Sequence, residues 1–272
     1  MTVDVVIVNW NGGPEVLDAI ASAVRFGASV IVVDNASTTG VSADLGSRTD
    51  IRLIRNPVNG GFAVACNLGA AAGSGDIVFL LNPDAEIVKG SAADLERAFA
   101  TTGATLIGAP MEQPSGQRVA TGRELPRISQ LLADLLRVNA IWGRICVRTD
   151  PLVAKPAWII GAALALRRAD WDRLGGLDER FFLWYEDVDL GARVAESGGS
   201  VAVADALRVR HIGASTWTRL PRRRRQWLRV RAVRLYAGKH LGRTAELSTI
   251  VVAPFALAIG VGLDIVHWLA RR

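Results

Sequence analysis

Three groups of polar residues in this chain have the types and spacing to do chemistry. Asn82-Pro83-Asp84 follows the apolar run Ile77 to Leu81 without a break, and Asp34-Asn35 follows Val30 to Val33 in the same way. The third group is acidic: Glu186, Asp187 and Asp189 come directly after Phe181-Phe182-Leu183-Trp184-Tyr185, and His211 closes a later strand pattern, Leu207 to Arg210. A carboxylate such as Asp84 just past a strand end is a candidate ligand for a hard cation that also holds a diphosphate. A carboxylate set beside aromatic rings is partly stripped of water, which raises its pKa and suits it to act as a general base. Each feature also has a plainer reading. Asn-Pro-Asp makes turns, acids in a first helical turn gain about 0.3 to 1 kcal/mol from the helix dipole, and a lone histidine is more often structural than a ligand.

The elements that must position these groups are legible from the apolar pattern. Val3 to Val8, Ser29 to Val33, Ile51 to Ile54 and Ile77 to Leu81 read as strands, the last of them an inner strand covered on both faces. Pro83 lacks the N–H that pairing needs, so Asn82 and Asp84 fall beyond the strand's carboxyl end, where open α/β sheets bind ligands. Helices are predicted from Pro14 to about Arg25 and from the turn Asn59-Gly60-Gly61-Phe62 through Asn67 to Ala72. This β-α-β-α-β order predicts an α/β fold with a mostly parallel, doubly wound sheet. The first strand is followed by Asn9-Trp10-Asn11-Gly12-Gly13, not by a glycine-rich dinucleotide turn, and no Walker lysine loop is present. A bound nucleotide must therefore be held by acids and amides at strand ends. Further along, a helix over 92–100, a strand over 105–109, an apolar stripe at helical spacing from Ile128 to Trp142, one strand over 158–166 and a helix from the acidic group to about Ser197 are expected.

Composition sets the bounds. At 272 residues the chain can hold one catalytic-sized domain with an appendage. The first strand begins at once, leaving no room for a secretory signal pattern, and two cysteines make no disulfide framework, so a reducing compartment is expected, with Cys66 a core residue. A net charge of +6 and an isoelectric point near 10.1 call for an anionic partner: nucleic acid, a phosphorylated substrate or an acidic membrane surface. The arginines from Arg219 to Arg234 are interleaved with apolar residues and predict a basic amphipathic helix. No known nucleic-acid module accompanies them, and acids at several strand and helix ends weigh against an inactive scaffold. Leu247 to Leu263 carries no charge but is interrupted by Pro254, Gly260 and Gly262. A spanning helix wants about 20 apolar residues, so this run fits a segment lying in or dipping into a membrane interface; a core helix is the alternative.

Taken together, "VNWNGG" at 8–13, "VVDNAST" at 32–38, "RNPVNGGFAVACNLG" at 55–69, "LLNPDAE" at 80–86, "GGLDERFFLWYEDVDLGARV" at 175–194 and "VRHIGAST" at 209–216 resemble, in order, the motifs of the inverting family 2 glycosyltransferases of GT-A fold. Within that family the chain is similar to rhamnosyltransferases that extend a polyprenyl-diphosphate-linked sugar. The resemblance covers residues 3–216 and implies a catalytic domain over 1–216; the basic and apolar patterns beyond it predict membrane-associating helices over 217–272. It implies donor binding by Asn9, Asp34, Gly61, Asn67, Asn82 and Asp84, with Asp34 on the nucleoside and Asn9 and Asn67 nearby. Asp84 and His211 would hold Mg2+ or Mn2+ on the diphosphate, Asp187 would be the base, and Trp184, Glu186 and Asp189 would lie on the acceptor side. The implied donor is a dTDP- or UDP-sugar, most simply dTDP-L-rhamnose, with galactofuranose, mannose and glucose donors open. The implied acceptor is a hydroxyl of a polyprenyl-diphosphate-linked saccharide in cell-envelope polysaccharide synthesis, used by a peripheral or monotopic enzyme on the cytoplasmic face of the cell membrane, with no nucleic-acid partner. One departure stands out. Many such enzymes carry Asp-x-Asp where this chain has Asn82-Pro83-Asp84, so a neutral amide replaces the first acid.

Overall fold

A computed structural model of the chain describes residues 1–137, 155–213 and 220–269. Strands β1 (Val3–Asn9) and β4 (Ile77–Leu81) are buried at every position, as continuous apolar runs require when both faces of a sheet are covered. They lie at the centre of a seven-stranded sheet with β2 (Ser29–Asn35), β3 (Arg52–Asn56), β6 (Leu106–Gly108), β11 (Ala163–Arg167) and β12 (Val201–Val203), in the order β12-β6-β11-β4-β1-β2-β3. Pairing is parallel except at β11, which runs antiparallel to both of its neighbours.

Alternation along the strands sends side chains to two separate cores. Val5, Ile7, Val30 and Val32 pack with Val16, Ala19, Ile20 and Phe26 of helix α1 (Glu15–Phe26). Val6, Val8 and Val33 pack with Ala63, Cys66 and Ala70 of helix α3 (Phe62–Ala72), which confirms Cys66 as a buried core residue. A short helix α2 (Ser42–Leu45) follows β2, and α4 (Ala92–Thr102) begins with a reciprocal Ser91–Asp94 cap. Beside the main sheet lies a four-stranded one, β5-β13-β7-β8, made of β5 (Ala85–Lys89), β7 (Met111–Glu112), β8 (Arg118–Val119) and β13 (Arg208–His211). The sequence reading anticipates only the strand at β13, because β7 and β8 have two residues each and leave no period to read.

The single strand expected over 158–166 is in fact two. β10 (Trp158–Ile159) pairs with β9 (Gly122–Arg123), and β11 resumes in the main sheet at Ala163. The backbone between them is drawn off by other partners: the Gly161 N–H donates to the Asp187 carboxylate at 2.8 Å, and the Ala162 carbonyl accepts the Asn82 N–H at 2.9 Å. Helix α6 (Arg168–Leu174) follows β11, and α7 (Glu186–Glu196) packs on β10. Gly191 makes that packing possible, since a Cβ there would stand 2.3 Å from that of Trp158.

The chain divides into two compact units. The first holds the sheets and the helices named so far. The second gathers α5 (Ile128–Leu135), the stretch Phe181–Tyr185, α8 (Arg222–Tyr236), a π-type turn (Ala237–Leu241) and α9 (Arg243–Leu269). A single cut at residue 216 therefore does not describe the division, because α5 and Phe181–Tyr185 join the C-terminal helices. The helix expected over 128–142 is described only as far as α5, and Cys146 lies outside the described residues. Within this unit Arg229 pairs with Asp134, the Arg137 guanidinium donates to Gln226 Oε1 at 3.2 Å, and Arg234 pairs with Glu246 at 3.0 Å.

Candidate functional site

Asn9, Asp34 and Arg55 are direct neighbours across β1, β2 and β3, so their side chains leave the sheet on one face at its carboxyl edge. Asn9 Nδ2 donates to Asp34 Oδ1 at 3.3 Å, Arg55 Nη1 donates to Asp34 Oδ2 at 3.2 Å, and the Ser42 hydroxyl donates to the same carboxylate. Asn9 Oδ1 in turn accepts the Gly12 N–H at 3.0 Å, and the loops after β1 and β2 are joined by Val41 N–H to the Gly12 carbonyl at 3.1 Å. The approach of Gly40 to Gly12 is so close that a Cβ would fall 2.0 Å from the Gly12 carbonyl oxygen. One residue on, Asn35 and Asn56 point to the other face. Asn35 Nδ2 donates to the Asn59 side chain at 3.0 Å and to the Gly61 carbonyl at 3.1 Å, fixing the loop whose Gly61, at φ 95°, opens α3.

Asn67 is not part of the Asn9–Asp34 cluster. Its amide accepts the Leu177 N–H at 2.9 Å and donates to the Leu177 carbonyl at 2.8 Å and to Glu179 at 3.0 Å. The reason is the face: α3 covers the side of the sheet that carries Val8 and Val33, whereas Asn9 and Asp34 share the parity of Ile7 and Val32. Asn67 thus ties α3 to the segment leading toward the acidic group.

At the end of β4, Asn82 N–H bonds the Ala162 carbonyl and Ala85 N–H bonds the Asn82 carbonyl at 3.1 Å, so Asn82–Ala85 is a turn that leads straight into β5. His211 lies opposite Ala85 in the β13–β5 ladder, and His211 Nε2 stands 3.1 Å from Asp84 Oδ1. Both are largely buried, at 21% and 7% side-chain exposure. The pair fits a divalent cation, since two cis ligands about 2.1 Å from an octahedral ion are about 3 Å apart. Among the described residues no third His, Cys, Asp or Glu joins them. The remaining coordination would come from phosphate oxygens and water, the usual arrangement for Mg2+.

The acidic group sits at the start of α7, directly after Trp184 and Tyr185, which adopt φ of 67° and 70°. Such left-handed geometry costs non-glycine residues on the order of 1 kcal/mol or more each, and where it persists it is a pointer to function. Asp187 is half-buried; its two oxygens accept the Gly161 N–H and the Val188 N–H, each at 2.8 Å. Burial raises its pKa, and the two N–H bonds and Arg123 only partly offset this. Glu186 is 6% exposed, and its Oε2 has no hydrogen-bond partner among the described residues. Burial, then the neighbouring Asp187 charge, push its pKa up to about 8, so it holds its proton to higher pH than a solvated glutamate does. Asp189 is fully buried and receives Arg193 Nε at 2.7 Å, while the same guanidinium donates to the Leu174 and Gly176 carbonyls. The structure thus corrects its acceptor-side assignment: Asp189 is a packing anchor with no surface to offer a ligand. Within the second unit Arg224 lies over the Phe182 ring at 5.6 Å and Tyr185 against Tyr236 at 5.6 Å; Trp184 is half-buried.

Gly161, Ser42 and Arg55 belong to the site although sequence reading does not single them out. Arg55 had one available signal, its position level with Asp34 once β2 and β3 are aligned as parallel neighbours. Gly161 had none, because its contact joins segments 26 residues apart through a break in a strand.

Known proteins resemble this chain in sequence and in fold. The model of Glycosyl transferase family 2 matches residues 4–150, and that of Glycosyl transferase family group 2 matches residues 128–270. The chain is 30% identical over 242 residues to the N-acetylglucosaminyl-diphospho-decaprenol L-rhamnosyltransferase of Mycobacterium tuberculosis, covering 78% of this chain and 76% of that protein. Among solved structures it is similar to GalNAc-T7 with UDP, GalNAc and Mn2+ (TM-score 0.60, 15% identity, 87% of this chain and 47% of that one). It is also similar to the mannosyltransferase PcManGT from Pyrobaculum calidifontis with GDP-Man and Mn2+ (TM-score 0.55, 18% identity, 96% of this chain and 73% of that one). At these identities the structures speak to the fold alone, and that fold is the GT-A fold expected from the sequence.

Proposed function

The chain belongs to glycosyl transferase family 2, and from that premise we propose that it transfers L-rhamnose from dTDP-L-rhamnose, with inversion, to a hydroxyl of a polyprenyl-diphosphate-linked saccharide. The sugar and acceptor rest on the relative of known activity; the roles of the residues rest on the geometry. What carries the reading is convergence. The Asn9–Asp34–Arg55 row and Asp84 stand at or just past the carboxyl ends of β1, β2, β3 and β4, His211 reaches Asp84 from β13 of the four-stranded sheet, and Gly161 and Ala162 bridge Asp187 to Asn82.

In this reading Asp34, held by Asn9, Ser42 and Arg55, receives the nucleoside, and the family resemblance adds Gly61 and Asn82 as further donor-binding residues. Asp84 and His211 would hold Mg2+ or Mn2+, which would neutralise charge on the departing diphosphate. No general acid is needed, because a nucleoside diphosphate is already a good leaving group. Asp187 accepts the proton of the acceptor hydroxyl as its oxygen bonds to the anomeric carbon and the bond to the diphosphate breaks on the opposite side. Two N–H donors hold that carboxylate in place, while burial makes it a stronger base than a solvated aspartate. While it keeps its proton, Glu186 adds no second negative charge beside it. Trp184 and Glu186, on either side of Tyr185 and just before the base in the chain, are the acceptor-side groups that remain from the sequence reading. The polyprenyl tail sets the reaction at a membrane surface, on its cytoplasmic face.

The test is an assay with dTDP-L-rhamnose, magnesium and a polyprenyl-diphosphate N-acetylglucosamine acceptor, with the product's anomeric configuration read by NMR. A rhamnosylated product of inverted configuration is expected. Transfer from a galactofuranose, mannose or glucose donor in its place would overturn the sugar, and retained configuration would overturn the role of Asp187.

A further inference from the structure

We infer that one face of α9 is a membrane-docking surface that lies in the plane of an anionic leaflet. Leu247, Ile250, Val251, Pro254, Phe255 and Ala258 recur at the spacing of a single helical face, and all six are exposed, Val251 to 68% and Phe255 to 64%. A helix that packed its apolar side inward would show the reverse. α9 instead buries its small side: Ala245, Thr249 and Ala256 are at or below 8% exposure. Two contacts with α8 fix this rotation. Gln226 Nε2, itself buried, donates to the Ala256 carbonyl at 3.0 Å, and Arg234 pairs with Glu246 one residue before the stripe begins. The apolar face cannot turn inward without breaking both.

The charge around the stripe decides what covers it. From Arg222 to Leu269 there are nine lysines and arginines against two acids, Glu246 and Asp264. Arg234, Lys239 and Arg243 gather at the end where the stripe begins, and exposed Trp227 on α8 carries the Arg231 guanidinium 5.6 Å above its ring. An apolar helical face edged by cations and an amphipathic indole matches an acyl boundary beneath anionic headgroups. A second copy of this chain matches it poorly, because it would bring two strongly basic surfaces together. No helix among the described residues is long and apolar enough to cross a membrane. The inference is independent of which sugar is transferred.

Vesicle co-sedimentation of the full chain tests it. Vesicles of phosphatidylcholine with phosphatidylglycerol should bind the protein at least about tenfold more tightly than phosphatidylcholine alone, with affinity falling as salt rises. The double variant Val251→Ser, Phe255→Ser should lose about tenfold or more in vesicle affinity at an unchanged melting temperature, since both side chains are exposed. Arg223→Gln with Arg231→Gln should weaken binding and flatten its salt dependence. Equal binding by the serine variant would overturn the inference. So would a wild-type dimer that the serine variant converts to monomer, because the stripe would then belong to a second copy.

Discussion

Two acids at opposite ends of the central sheet, Asp4 and Asp187, keep different company. At the amino edge Asp4, 4% exposed, is closed off: Arg168 Nη2 reaches its Oδ2 at 2.8 Å and the Gly75 N–H reaches the same oxygen at 2.6 Å, while Arg168 also caps the Gly75 and Ala70 carbonyls. At the carboxyl edge Asp187 receives only backbone N–H groups, and the neighbouring Glu186 keeps one buried oxygen with no partner among the described residues. The guanidinium matched to Asp4 makes that acid a structural tie. At Asp187 burial outweighs the backbone N–H groups and leaves an acid whose affinity for a proton is raised, which is what a base requires. Burial alone does not identify a functional carboxylate; the company it keeps does.

Substitution at each end sharpens this contrast. The largest effect is expected for Asp187→Asn, which should lower the transfer rate by about 10²- to 10⁴-fold while donor affinity, read by calorimetry, and melting temperature stay near wild type. Asp84→Ala should weaken metal-dependent donor binding and cut transfer roughly a hundredfold, with excess chelator reproducing the loss in the wild type. Full activity in chelator would remove the cation from the reaction. Asp4→Asn should act on the fold. Leaving Arg168 without its anion should cost about 3 kcal/mol in denaturant unfolding, with activity per folded molecule preserved. A selective loss of turnover there would break the contrast.

The smallest effect separates Glu186 from its neighbour. Its folded pKa, about 8, lies above its ordinary value of 4.5, so its contribution to stability is complete below the ordinary value and is lost as pH rises through the folded one. Glu186→Gln should therefore melt with the wild type near pH 5 and about a few degrees above it at pH 9. For Asp187 the same sign means that transfer falls as pH drops through a pKa above the usual carboxylate range. An acid limb in the rate profile at an ordinary aspartate pKa would show that its burial is relieved when substrate binds.

Much of this molecule follows from local pattern. Apolar runs and the residues that stop them determine the first four strands along the chain and, with the helices between them, a mostly parallel sheet, because a five-residue buried strand has few other ways to satisfy its backbone. They also put Asp34, Asp84 and the Glu186–Asp187 pair at element ends, where polar side chains can leave a sheet. Tertiary structure alone decided which of these meet. Sheet parity set Asn67 on the opposite face from Asp34, and the β13–β5 ladder brought His211 to Asp84 across 127 residues. The break between β10 and β11 freed one N–H for Asp187, and Arg193 withdrew Asp189 into the packing. The division has a physical cause: a side chain's type and its place along a strand are local properties, whereas its partner is set by registers and crossovers between segments distant in the chain.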